Sequence, residues 1–89
     1  MRISQTLQTK LEDIFKALEY TVRYEKGNFK SGYCILQETK VVVINKFFSL
    51  EGKVNALSEI LREIDTDDSL LDPAQQKLLQ QIRQTELKF

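Results

Sequence analysis

The sequence predicts an α+β domain of order αβββαα, a three-stranded antiparallel sheet packed with helices. Three observations carry this reading: apolar residues at helical spacing up to Leu18, a change to strict alternation from Tyr20, and a return to helical spacing after Ser49. The 89 residues have room for one core, so residues 1–89 are expected to form a single domain.

Ile3, Leu7, Leu11, Ile14, Phe15 and Leu18 fall on one face of a first helix over residues 4–18, with Ser4 as its N-cap. Gln5, Gln8, Lys10, Glu12, Asp13 and Lys16 form its wet side. Tyr20, Val22 and Tyr24 then alternate with Thr21, Arg23 and Glu25, as in a strand with one buried face. A loop with Gly27-Asn28 leads to Tyr33-Cys34-Ile35-Leu36, and a polar turn at Gln37–Lys40 leads to Val41-Val42-Val43-Ile44. The β-branched content suits strands, and the short connections predict an antiparallel meander. Leu50, Val54, Leu57, Ile60, Leu61 and Ile64 mark a second helix capped by Ser49 and carrying Gly52 near its start. Asp72-Pro73-Ala74-Gln75 combines an N-cap, a proline at the first helical position and a residue placed to close a capping box, which opens a third helix with Leu78, Leu79 and Ile82 inward. Its other face is rich in glutamine.

Strands two and three are apolar on both faces. One face must meet the helices, and the other is either covered by the C-terminal helix or open to a second chain. The face of Tyr33, Ile35, Val42 and Ile44 is the expected contact surface, with Cys34 and Val43 as the alternative pair, because the pattern does not fix which face meets the helices.

Composition narrows the chemistry. There is no histidine, no tryptophan and one cysteine, so the usual zinc sites, Ser-His-Asp triads and Cys-His dyads cannot be assembled from this chain. No catalytic, cofactor-binding or metal-binding residues are expected. Thirteen Lys and Arg balance thirteen Asp and Glu, which gives no overall field to attract nucleic acid. Residues 21–55 are nonetheless basic, six bases against three acids, and residues 56–89 acidic, seven acids against four bases. Tyr20, Tyr24, Phe29 and Tyr33 with Arg23, Lys26 and Lys30 look like a single-strand platform, but alternation turns Tyr20 and Tyr24 toward the core. The N-terminus lacks the apolar run of a signal peptide and no stretch is long enough to span a bilayer; with a lone cysteine this predicts a cytoplasmic protein.

Cys34 lies in an apolar strand without a histidine to activate it and reads as a core thiol. Asp65, Asp67 and Ser69 match the first ligand positions of a calcium loop, but the pattern fails where Leu70 replaces the glycine and Gln76 the final glutamate. Gly27 and Gly32 flank a hairpin and open no helix that would hold a phosphate.

The strand ending Val43-Ile44-Asn45, followed by the helix Val54-Asn55-Ala56-Leu57-Ser58-Glu59-Ile60-Leu61-Arg62, resembles the core of the ImmA/IrrE-type metallopeptidases over about residues 20–64. In that family the helix carries His-Glu-x-x-His. The resemblance places Ser58 and Arg62 at the two zinc-ligand positions and Glu59 at the base position, so both ligands are missing. The stretch from Val22 to Cys34 also resembles a group of small uncharacterised bacterial proteins of similar length.

The expectation is a non-catalytic protein that acts by protein–protein interaction or self-association, with a homo-oligomer, simplest as a dimer, or another protein as partner. A metal-free, peptidase-derived domain that binds a peptide is the first alternative. Nucleic-acid binding through the basic hairpins is the second.

Overall fold

The computed structural model of the protein describes residues 3–26, 33–36 and 38–84, with the backbone alone described at 33–35. Helix α1 spans Gln5–Ala17. Ser4 caps it, its Oγ accepting from the Leu7 N–H at 3.1 Å. Leu7, Leu11, Ile14, Phe15 and Leu18 are buried, as the spacing predicts. The helix ends in a Schellman turn built without glycine: Glu19 sits at φ 68, its N–H donates to the Lys16 carbonyl (3.0 Å), and the Tyr20 N–H donates to the Phe15 carbonyl (2.8 Å). The accompanying apolar contact is between the rings of Phe15 and Tyr20, edge-on with centroids 6.2 Å apart.

Three strands follow, β1 (Thr21–Glu25), β2 (Tyr33–Leu36) and β3 (Val41–Asn45), in one sheet of order β1-β3-β2. β2 and β3 are antiparallel, with Leu36 opposite Val41 and Cys34 opposite Val43. β1 and β3 are parallel, Thr21 opposite Val41 through Glu25 opposite Asn45. This overturns the three-stranded antiparallel sheet that the short connections predict. The flaw is the assumption that neighbours in sequence are neighbours in the sheet. Residues 26–40 lie between β1 and β3, enough for a parallel crossover, and β2 lies within that crossover. β3 is therefore the central strand, which agrees with its unbroken apolar run, while the alternating β1 is an edge.

Helix α2 (Leu50–Glu63) starts on Ser49, whose Oγ accepts from the Gly52 N–H at 3.1 Å. A β-carbon at Gly52 would stand 3.3 Å from Phe48 Cβ and Cγ, so the absent side chain lets Phe48 lie across the first turn. A 3-10 turn (Asp68–Leu70) precedes α3 (Pro73–Gln84). The capping box forms: Asp72 Oδ1 accepts from the Gln75 N–H (2.7 Å) and Gln75 Oε1 from the Asp72 N–H (3.1 Å).

α1 and α2 pack on each other and on one face of the sheet, and α3 packs against α2. The core joins Leu11, Ile14 and Phe15 of α1 to Val42 and Ile44 of β3, Leu57, Ile60 and Leu61 of α2, and Leu79 and Ile82 of α3. Each fully buried side chain of this kind contributes roughly 1.5–3 kcal/mol relative to its exposed state. Val42 and Ile44, both 0% exposed, are thus helix-facing core residues and not the contact surface expected of them. The side chains of Tyr33 and Ile35, the other half of that expectation, lie outside the described residues.

Candidate functional site

The outer edge of β1 borders the sheet on the side away from β3. Two hydrogen bonds fix the phase of its ladder: the Thr21 N–H donates to the Lys40 carbonyl (2.8 Å), and the Lys46 N–H donates to the Glu25 carbonyl (3.1 Å). In a parallel pair, alternate residues turn both backbone groups to the same neighbour. Thr21, Arg23 and Glu25 therefore bond to β3, and the N–H and C=O of Val22 and Tyr24 point outward. No described residue pairs with them.

Along this edge runs a groove of ≈ 450 Å³ between α1 and β1, with Glu12, Asp13 and Lys16 on the helix side and Tyr20, Thr21 and Val22 on the strand side. Its end is fixed by a polar cluster. The Tyr24 hydroxyl donates a short hydrogen bond to Glu12 Oε2. Gln8 Nε2, on a side chain only 6% exposed, donates to the Tyr24 oxygen (3.0 Å) and to Glu12 Oε2 (3.3 Å). Lys53 Nζ lies 5.3 Å from the Tyr24 ring centroid. Burial first, then the hydrogen bond to Glu12, raises the phenol pKa well above its ordinary value, so Tyr24 keeps its proton and acts as a donor. Gln8 and Glu12 lie one turn apart on α1, and they couple that helix to the edge strand.

The sheet face away from the helices carries Thr21, Arg23 and Glu25 of β1 with Val41 and Val43 of β3 and Leu36 of β2, which is 49% exposed. Neither Leu36, Val41 nor Val43 joins the core cluster. Arg23 and Glu25, two residues apart on this face, form an exposed ion pair at 2.9 Å.

The residues of the metallopeptidase-like pattern are occupied otherwise. Ser58 is 1% exposed, and its Oγ donates to the Val54 carbonyl one turn back at 2.8 Å. Arg62 Nε donates to the Ile82 carbonyl at 3.1 Å, which ties α2 to the C-terminal turn of α3. Glu59 is exposed on another face of the helix. A hydroxyl engaged in the core and a guanidinium do not fit a zinc ion, and no group of three or more His, Cys, Asp or Glu able to hold a metal exists among the described residues. In the acidic loop, Asp67 Oδ1 accepts from the Ser69 N–H (3.0 Å) and hydroxyl (2.6 Å), which holds its carboxyl below the usual range and starts the 3-10 turn. Gly27, Phe29, Lys30 and Gly32 of the basic hairpin lie outside the described residues.

The predicted meander also leaves β1 at an edge, but it pairs β1 with β2, so the sequence pattern missed the strand that fixes which backbone groups of β1 face outward. The alternation of Thr21–Glu25 marks β1 as an edge, but β2 and β3 carry equally unbroken apolar runs, so no signal in the sequence tells which of the two lies beside it. No protein-family model matches the chain, and no curated protein or solved structure matches it significantly. No helix among the described residues is long and apolar enough to cross a membrane.

Proposed function

We propose that the chain is a non-catalytic protein-interaction domain that takes up an extended polypeptide strand on the outer edge of β1. The observation that carries this is the outward backbone of Val22 and Tyr24, which no described residue pairs with, beside the α1/β1 groove. Strand addition uses such an edge for affinity through main-chain hydrogen bonds, and the adjoining groove for side-chain selection. The single cysteine and the mixed charge of the groove fit a cytoplasmic protein with a peptide-like partner.

Val22→Pro tests the reading. It removes an outward N–H but leaves the Thr21 and Glu25 bonds to β3 intact, and proline is tolerated at such edge positions. Val22→Ala controls for lost packing. Proteins captured from the source cell by the wild type and by Val22→Ala, and lost with folded Val22→Pro, are the expected result. Capture that survives Val22→Pro would place binding on another surface.

A further inference from the structure

We propose that the strand added to β1 is the β1 of a second copy, antiparallel about a two-fold axis at Tyr24, so that two domains share one continuous six-stranded sheet. This rests on the strand-addition reading above and names its occupant. The argument is one of register. A symmetric antiparallel pair on this edge must bond through the residues whose backbone points outward, Val22 and Tyr24, with Lys26 continuing the alternation. Centring the axis on one of the three interior residues of β1 (Thr21–Glu25), so that the pair extends to both sides of it, leaves three registers.

With the axis at Val22, Arg23 faces Thr21 of the second copy and no charges are matched. With the axis at Arg23, two guanidinium groups face each other across a non-hydrogen-bonded pair, where side chains are closest. With the axis at Tyr24, Arg23 faces Glu25 of the second copy, Glu25 faces its Arg23, and Val22 pairs with its Lys26. Of these three, this register alone sets opposite charges directly opposite, twice over. Both charges already project on the open face, 2.9 Å apart and roughly half exposed, so they reach a neighbouring strand without rearrangement of the core. The Tyr24 side chain is on the other face, held by Glu12 and Gln8, and no described residue bonds to its outward backbone at the axis.

The test starts with mass in solution by light scattering over a range of concentrations. The wild type is expected to dimerise. Arg23→Glu and Glu25→Arg each set like charges opposite one another and are expected to weaken the dimer about tenfold or more. An equimolar mixture of the two variants is expected to restore it, since each acidic strand then meets a basic one although neither regains its own internal ion pair. Cysteine cross-linking fixes the register, in a Cys34→Ser background oxidised with glutathione. A mixture of Arg23→Cys and Glu25→Cys is expected to cross-link, and Arg23→Cys alone is not. Ready cross-linking of Arg23→Cys alone would overturn the Tyr24 register in favour of the Arg23 axis. A wild type that stays monomeric at its highest soluble concentration overturns the second copy as occupant, and strand addition is then judged by the Val22→Pro capture. A dimer that folded Val22→Pro leaves intact overturns β1 pairing altogether.

Discussion

Replacing Tyr24 by phenylalanine removes one oxygen from the cluster that joins α1 to β1. The phenol donates to Glu12 Oε2 and accepts from Gln8 Nε2 at 3.0 Å. A hydrogen bond to a charged group contributes about 1.5–3 kcal/mol. Two features lower the net loss: half-buried Glu12 regains water, and Gln8 Nε2 keeps its own bond to Glu12 at 3.3 Å. The ring itself, with Lys53 above it, is retained. Tyr24→Phe is therefore expected to cost about 1–2 kcal/mol at neutral pH, a fall in melting temperature of roughly 4–16 °C for a domain this small. The hydroxyl also gives the wild type an alkaline dependence that the variant lacks. The unfolded tyrosine ionises near 10.0, whereas the folded one resists ionisation because of burial and the facing Glu12. Its contribution is thus complete below pH 10 and lost as pH rises above that, at no more than about 1.4 kcal/mol per pH unit. Water screening at a half-buried phenol makes the total smaller than full burial implies. Phenylalanine has no proton to lose, so the stability gap between wild type and variant is expected to narrow above pH 10. Urea denaturation followed by circular dichroism, at one fixed low protein concentration, reads both effects. Equal stability at neutral pH, or a gap that stays constant above pH 10, would refute the role assigned to the hydroxyl.

Three further substitutions probe the fold. Ile44→Lys puts a charge at a fully buried position of the central strand, and is expected to abolish cooperative thermal unfolding and not merely to dissociate a complex. Glu19→Gly relieves a left-handed residue at the end of α1 and gives up only an exposed ion pair with Lys40 (3.6 Å); a gain of about 1 kcal/mol is expected in urea titrations. Gly52→Ala adds helix propensity of about 1 kcal/mol but brings a β-carbon to 3.3 Å from Phe48, so calorimetry is expected to find it within about 0.5 kcal/mol of the wild type.

The helices were legible because their signals are local. Ser4, Ser49 and the Asp72/Gln75 pair cap where their residue types predict, and the apolar stripes meet in the core. Strand positions were legible for the same reason, since Tyr20 to Glu25 and Val41 to Ile44 carry their periods in the residues themselves. Pairing is not local. Nothing in Val41-Val42-Val43-Ile44 states which strand lies beside it, and an unbroken apolar run serves equally in a meander and at the centre of a mixed sheet. The Schellman turn was hidden because Glu19 takes the place usually held by glycine. The polar cluster was hidden because Gln8 and Glu12 look like ordinary surface residues until β1 brings Tyr24 across them. Ser58 and Arg62, singled out by their spacing, serve the helices instead: Ser58 bonds back to Val54 within α2, and Arg62 ties α2 to Ile82 of α3.

These hidden devices converge on the edge strand. An edge bonded on one side only tends to fray, and a binding strand must then meet the cost of ordering it. Here the Schellman turn delivers the chain into β1 directly from the end of α1, and the Phe15–Tyr20 ring contact fixes the angle of entry. Thr21 and Glu25 bond to β3 at both ends of the strand, and Tyr24 is held from α1 by Glu12 and Gln8. The outward backbone of Val22 and Tyr24 is thus presented on a strand fixed at both ends and on its inner face. Loosening any of these attachments is expected to weaken strand addition without touching the groups that bond to the incoming strand, so Tyr24→Phe tests the edge as well as the core.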